Sequence, residues 1–204
     1  MSVTAPAGFV AAGIHAGIKT SRRDMAMLAT DDGRPVSAAA VFTTNKFRAP
    51  PVDACIDRLT ASGGMAAGVV VNSGNANAGT GDPGRADAEA MCETAAAAVG
   101  CDGQEMLVCS TGLIGIPLPM DKIMPGITAL GAALSPGGGG DAAKGILTTD
   151  TRPKEALVEG DGYTVGGMAK GCGMLAPNMA TMLAFLTTDA ALEPGELQPI
   201  LARA

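Results

Sequence analysis

Short apolar runs alternate along the chain with polar segments rich in Gly and Pro, a pattern that predicts strands interspersed with a few helices. Strands are predicted at Met25–Thr30 and Val36–Thr44, joined into a hairpin by the turn sequence DDGRP. A run of valines predicts a third strand at Ala67–Asn72, and a fourth is predicted at Met106–Cys109, before the loop STGLIG.

An alanine-rich stretch after the polar loop SGNANAGTGDPG predicts a helix. Asp82 is a favourable N-cap and Pro83 a favourable first helical residue, and Gly100 ends the helix after Val99. The loop itself lacks the lysine of a phosphate-binding GxxxxGK[ST] sequence, which favours a structural loop. Further helices are predicted at Met120–Leu134, with a kink near Pro125, and, after the flexible loop SPGGGG, at Asp141–Leu147.

The last third of the chain predicts a hairpin and a buried strand. Glu155–Glu159 and Tyr163–Met168 flank a GDG turn and are expected to pair. The segment KGCGMLAPNMA is broken by Gly and Pro and leads into TMLAFLTT, which has the pattern of a buried strand. Leu192–Ala204 begins a helix without a C-cap, which predicts a chain cut inside a larger protein.

Charge and composition exclude several classes of protein. The chain has 204 residues, with 14 Lys and Arg against 20 Asp and Glu, for a formal net charge of −6. This acidic balance, with four Phe, one Tyr and no Trp, argues against a nucleic-acid-binding surface. No apolar run approaches the ~18 residues of a membrane helix, and the N-terminal sequence lacks the features of a signal peptide. We therefore expect a cytoplasmic protein without a membrane or nucleic-acid partner.

The supply of metal-binding and basic side chains narrows the possible chemistry. The five cysteines form no CxxC pair and His15 is the single histidine, so we expect no metal site. His15 lies among Ala, Gly and Ile and is interpreted as a structural or surface residue. An enzyme built on this chain therefore needs a base other than histidine.

Thr181 is a candidate nucleophile that needs no histidine. It follows the small residue Ala180 and begins the apolar sequence TMLAFLTT. A threonine is activated without histidine when its own α-amine is free to act as base, which here requires the Ala180–Thr181 bond to break. The alternative is a threonine that only begins a strand, and local composition by itself favours that alternative.

The sequence STGLIG offers a complementary group. Thr111 carries a hydroxyl and Gly112 an unobstructed backbone N–H, directly after a predicted strand. Two such donors at a strand end can stabilise the oxyanion of a tetrahedral intermediate. The alternative is a polar turn, and these residues alone do not exclude it.

Several stretches together resemble the ornithine acetyltransferase (glutamate N-acetyltransferase, arginine biosynthesis bifunctional protein) family. They are TAPAGFVAAGIHAGIK, NSGNANAGTG, STGLIGIPLPMDKI, LTTDTRPKE and GGMAKGCGMLAPNMATMLAFLTTDA, and they extend over essentially the whole chain. The resemblance implies a precursor that cleaves itself between Ala180 and Thr181. Residues 1–180 would then be the α chain and residues 181–204 the start of the β chain. It also implies an α/β fold with layered α/β/β/α architecture and mixed sheets, similar to self-cleaving amidases and aminopeptidases.

The resemblance also assigns roles to individual residues. Thr181 matches the nucleophile, and Thr111 and Gly112 match the oxyanion-hole pair. Thr148, Lys170 and Thr181 match positions that contact substrate in this family. Lys170 suits that role, because an ammonium can pair with the carboxylate of an amino-acid substrate.

The implied reaction is ping-pong transfer of acetyl from N-acetylornithine to glutamate in arginine biosynthesis, without a cofactor. Acetyl-CoA is a further donor for some members, and the expected assembly is an α2β2 heterotetramer. One alternative is a self-processing N-terminal-threonine amidohydrolase or aminopeptidase of the same architecture, in which water is the acceptor. Another is a structural or binding subunit, which would be neither cleaved nor acylated.

Overall fold

The computed structural model describes residues 2–171 and 182–204. In chain order the strands are β1 (Phe9–Ile14), β2 (Met25–Thr30), β3 (Val36–Ser37), β4 (Met65–Ala66), β5 (Gly68–Asn75), β6 (Met106–Leu113), β7 (Lys154–Glu159), β8 (Thr164–Lys170) and β9 (Leu183–Thr188). The α-helices are α1 (Pro50–Ala61), α2 (Gly81–Val99), α3 (Met120–Ala133), α4 (Gly139–Gly145) and α5 (Pro194–Arg203).

A mixed four-stranded sheet in the order β1-β2-β5-β6 forms the centre of the fold. The pairs β1–β2 and β2–β5 are antiparallel, whereas β5 and β6 are parallel. Helix α2 lies between β5 and β6 in sequence and provides the crossover that a parallel pair requires. A second, antiparallel sheet has the order β7-β8-β9.

The period-two alternation of β2 divides the core into two layers. Met25 and Met27 face a cluster formed with α1, α2 and α3, whereas Ala26 and Leu28 face a second cluster that includes Met168 of β8. All six residues of β2 are buried, so both of its faces are covered. Helices, the central sheet and the β7-β8-β9 sheet thus form successive α, β and β layers, which confirms the predicted α/β fold class.

The predicted hairpin between Met25–Thr30 and Val36–Thr44 is wrong. β2 pairs with β1 and β5, and β3 is limited to Val36–Ser37, which pairs with β4. A strand buried on both faces is stabilised as a central strand, and the apolar segments Phe9–Ile14 and Gly68–Asn75 supply partners on both of its edges. The sequence pattern also missed β1, β4 and α1.

The bounds of other elements differ in ways that matter for the site. β6 continues to Leu113, so Thr111 and Gly112 lie inside a strand and not in a loop after it. α2 begins at Gly81 and ends, as predicted, before the left-handed Gly100. α4 begins at Gly139, within the predicted flexible loop. β9 is not a buried strand, because Leu186 is 57% exposed.

Candidate active site

The carboxyl ends of β5 and β6 place Thr111 and Gly112 against Ser73 and Gly74. In the parallel register Ser73 pairs with Thr111 and Gly74 with Gly112, just before a β-bulge at Asn75. Gly112 has a φ of +140°, and a Cβ atom there would lie 2.3 Å from the carbonyl carbon of Gly74. A glycine is therefore required at position 112, and Thr111 and Gly112 are both held on a rigid strand end.

Thr111 contacts Lys170 in the interior of the protein. The Lys170 Nζ donates a hydrogen bond of 2.9 Å to Thr111 Oγ1, and the two residues are 2% and 1% exposed. Lys170 is the last residue of β8, so this contact joins the ends of two sheets. The structure thereby brings together two of the predicted site residues that are 59 positions apart in sequence.

Thr148 lies in the irregular segment after α4 and is half-buried. Within the described residues its side chain makes no hydrogen bond to Thr111 or Lys170. Thr148 is nevertheless linked to the end of β5, because the carbonyl of the preceding Leu147 accepts a hydrogen bond from Lys19, which also contacts Ser73.

The predicted nucleophile Thr181 and the predicted cleavage position after Ala180 lie outside the described residues. The chain on either side is described, however. Lys170 and Leu183 are paired in the β8–β9 ladder. Leu183 follows Thr181 by two positions in sequence, so the chain re-enters the described fold directly beside Lys170.

Asp150 is a site residue that the sequence reasoning missed. Its Oδ1 accepts a hydrogen bond of 2.8 Å from the backbone N–H of Gly171 and also contacts the Lys154 ammonium. Its buried Oδ2 has no hydrogen-bond partner among the described residues. Burial acts to raise the pKa of Asp150, but hydrogen bonds from Lys154 and Gly171 outweigh it and hold the pKa below its usual value. The sequence signal that could have identified Asp150 is its position in LTTDTRPKE, one of the stretches that carry the family resemblance.

Lys19 is a second residue that the sequence reasoning missed. Its Nζ donates to Ser73 Oγ at 2.6 Å, to the Leu147 carbonyl at 2.5 Å and to the Arg23 carbonyl at 3.0 Å. Burial lowers the pKa of Lys19 to about 8, against the opposing effect of Asp24. The sequence signal that could have identified Lys19 is its position in GIHAGIK, at the end of another such stretch. The sequence alone is equally consistent with a surface lysine.

The polar loop after β5 is structural. The Asn77 side-chain amide donates to the Gly84 carbonyl, the Asn75 amide donates to the Pro117 carbonyl, and Thr80 Oγ1 donates to Asn77 Oδ1. These bonds occupy the side chains of Asn75, Asn77 and Thr80. Across residues 2–171 and 182–204, no cluster of His, Cys, Asp or Glu side chains has the arrangement of a metal site. In the same ranges, no helix combines the length and apolar character needed to cross a membrane.

Comparison with known proteins identifies related chains. The chain is 51% identical to the arginine biosynthesis bifunctional protein ArgJ of Symbiobacterium thermophilum over 99% of its length, covering 51% of that protein. It is 52% identical to the Streptomyces coelicolor protein of the same name over its whole length, covering 53% of that protein. The chain thus spans about half the length of these curated relatives.

Solved structures agree with this relationship. The ornithine acetyltransferase of Mycobacterium tuberculosis, crystallised with ornithine, matches with a TM-score of 0.81 and 45% identity, over 89% of this chain and 96% of that chain. The ArgJ structure from Bacillus halodurans matches with a TM-score of 0.78 and 38% identity, over 90% of this chain and 95% of that chain.

The fold and these matches therefore define a layered α/β protein related to the ornithine acetyltransferases, with a threonine–glycine pair at a strand end. The ArgJ family model matches residues 10–204. The chain belongs to the ArgJ family.

Proposed function

We propose that the whole protein transfers an acetyl group from N-acetylornithine to glutamate through an acyl ester on Thr181. The hydrogen bond from Lys170 to Thr111 carries this proposal. The Thr111 oxygen accepts a hydrogen bond from the Lys170 ammonium, so the hydroxyl hydrogen of Thr111 remains available to a second acceptor. The bond from the ammonium also makes the Thr111 hydroxyl a stronger donor. A buried, polarised hydroxyl beside a constrained glycine suits the stabilisation of an oxyanion.

Self-cleavage is the first step of the proposal. The Thr181 hydroxyl attacks the Ala180 carbonyl, the C–N bond breaks, and water hydrolyses the resulting ester. Residues 1–180 then form an α chain that ends in a carboxylate, and Thr181 becomes the first residue of a β chain with a free α-amine. The pairing of Leu183 with Lys170 supports this, since Leu183 lies two positions after Thr181 in sequence and Lys170 contacts Thr111.

Acetyl transfer follows in two half-reactions. The α-amine of Thr181 takes the proton of its own hydroxyl as the oxygen attacks the acetyl carbonyl, and Thr111 and Gly112 donate to the oxyanion. The bond to the ornithine nitrogen breaks, and the departing amine takes the proton. The glutamate amine then attacks the acyl ester, and Thr181 regains its proton. Thr148 and the Lys170 ammonium hold the substrate, the latter through a carboxylate.

This chemistry needs no metal or organic cofactor, and we propose that the chains assemble as α2β2. The names of the relatives support the reaction, and the ornithine bound to the Mycobacterium tuberculosis enzyme supports the substrate. Acetyl-CoA is a second proposed donor, which would make N-acetylglutamate directly.

The test is an intact-mass spectrum of the complete gene product before and after incubation with N-acetylornithine. We expect a break at Ala180–Thr181 and one acetyl group on the fragment that begins at Thr181. Thr181→Ala should abolish both. Thr188→Ala is the matched control and should retain both. Thr188 lies on the same strand as Leu183, and the substitution removes its hydrogen bond to the Thr164 carbonyl.

The same assay separates transferase from hydrolase. Glutamate should discharge the acyl-enzyme and appear as N-acetylglutamate, faster than water releases acetate. Faster discharge by water would assign the protein to the amidohydrolase class. An uncut chain that takes up no acetyl group would refute the proposal.

A further inference from the structure

The loop that presents Lys19 is held by a buried carboxylate. Asp24 is fully buried, and its two oxygens accept backbone hydrogen bonds from Ala16 at 2.6 Å, Gly17 at 3.1 Å and Lys19 at 2.9 Å. Hydrogen bonds to an ionised carboxylate are stronger than those between neutral groups. The backbone of Lys19 is therefore held by contacts that do not involve its side chain.

The Lys19 ammonium uses its three hydrogens on three separate segments. One goes to the Arg23 carbonyl in its own loop, one to Ser73 Oγ at the end of β5, and one to the Leu147 carbonyl. Ser73 in turn donates to the carbonyl of Gly145 at 2.5 Å, at the end of α4. The end of α4 and the segment after it are thus fastened to the end of β5 at two points.

These contacts lie between two parts of the proposed site. Ser73 pairs with Thr111 in the β5–β6 register, and Leu147 directly precedes Thr148. Lys19 therefore joins β5, which lies beside the strand that carries the oxyanion pair, to the segment that carries Thr148.

The ammonium is kept in an unfavourable place. Burial lowers the pKa of Lys19, and the charges of Arg22 and Lys170 lower it further, while Asp24 acts in the opposite direction. A half-buried cation near two other cations carries a free-energy cost that Asp24 and the hydrogen bonds of Lys19 must offset, and groups perturbed in this way are common at functional sites.

We propose that Lys19 is a positioning residue of the acetyl-transfer site, which sets the place of Thr148 relative to Thr111 by joining Leu147 to Ser73. The inference rests on the proposed function. Lys19 acts through Thr148 and not on the reacting atoms, so its loss should weaken substrate binding more than it slows the chemical step.

The experiment is a double-mutant cycle on the complete, self-cleaved protein, with N-acetylornithine and glutamate as substrates. Lys19→Met should raise the KM for N-acetylornithine about tenfold and change kcat by less than about threefold. Thr148→Val should raise the same KM. The double variant should be no worse than the weaker-binding single variant, because the two residues act through one contact.

Lys122→Met is the matched control. Lys122 Nζ donates to the carbonyl of Gly17, in the same loop, but the bond is exposed. Its loss should change KM less than about twofold. If Lys19→Met does not fold, the same cycle is run with Lys19→Gln, whose side chain is one atom shorter and carries two N–H hydrogens in place of the three of the ammonium.

The pH profile gives a second readout. Above about pH 8 the Lys19 amine has two hydrogens for three acceptors, so the KM of the wild type should rise there and that of Lys19→Met should not. The groups that face Lys19 are Asp24, Arg22 and Lys170, and all three are present in both proteins.

The outcomes separate this inference from the proposed function. Absence of acetyl transfer in the wild type would refute the function itself. If the wild type transfers acetyl, the inference is overturned by any of three results: a Lys19→Met protein that behaves like Lys122→Met, an unchanged KM in Thr148→Val, or additive effects in the double variant.

Discussion

Gly112 occupies a position in the site where no side chain larger than a hydrogen atom fits. Its positive φ and its approach to Gly74 leave no room for a side chain, and its neighbour Thr111 carries the hydroxyl that Lys170 contacts. The sequence identified both residues as donors after a strand. It did not show that they lie inside the strand, because the pattern of apolar residues ends before the backbone pairing does.

We predict that Gly112→Ala lowers kcat for acetyl transfer at least about a hundredfold, the scale of losing one oxyanion donor. The added methyl group would overlap the Gly74 backbone and displace the Gly112 N–H. Steady-state kinetics on the cleaved protein measure this loss.

Gly115→Ala is the control for that prediction. Gly115 also has a positive φ, of +74°, but no atom lies within 4 Å of the position that its Cβ would take. We expect only a strain of about 1 kcal/mol in the free energy of unfolding and a kcat within about twofold of the wild type. Equal losses in the two variants would show that backbone strain, not the Gly112 donor, is responsible.

At the scale of elements, the connection between β8 and β9 contains the bond at which we propose self-cleavage. β8 ends at Lys170, and the carboxylate of Asp150 fixes the next residue, Gly171, through its backbone N–H. Asp150 therefore anchors the start of the segment that contains the Ala180–Thr181 bond. The segment from α4 to β7 thus supports both Thr148 and this anchor.

We predict that Asp150→Ala slows self-cleavage of the precursor about tenfold or more, because the Gly171 N–H loses its charged acceptor. The measurement is the uncleaved fraction against time by intact mass. Asp141→Ala, which removes an exposed carboxylate paired with Arg23 and Lys144, is the control and should cleave at the wild-type rate.

The Asp150 carboxylate also makes the stability of the folded protein depend on pH in the acidic range. The pKa of Asp150 is lower in the folded protein than in the unfolded chain, so its stabilising effect is complete above its unfolded pKa. The effect is lost as the pH falls through the lower, folded value. A wild-type protein should therefore lose stability in this acidic range more steeply than Asp150→Ala.

At the scale of the whole molecule, the layers hold the strand ends of two sheets against each other. The apolar cluster of Ala26, Leu28 and Met168 packs the second sheet on the central one, which sets the distance between Lys170 and Thr111. Every proposed chemical role is filled by Thr, Gly or Lys groups of this chain. The reaction is therefore expected to proceed without a metal.

We predict that dialysis of the complete protein against EDTA leaves kcat/KM for acetyl transfer within about twofold of the untreated value. Elemental analysis of the dialysed sample confirms that metals are removed. Loss of activity that a divalent cation restores would contradict the cofactor-free mechanism.

The sequence by itself determined the features that depend on neighbouring residues. The apolar run Met25–Thr30 defined β2, Gly100 ended α2, and the GDG turn joined β7 to β8. These features follow from backbone geometry and side-chain period, which act over a few residues. The resemblance in the quoted stretches also gave the family, which the family match confirmed.

Only the tertiary structure decided which distant residues meet. It gave β2 its partners β1 and β5 in place of the predicted hairpin, and it placed Lys170 on Thr111. It also brought Lys19 to Ser73 and Leu147, 54 and 128 positions away. Pairings of this kind depend on which surfaces are buried together when the layers pack, and no local pattern of apolar residues records that choice.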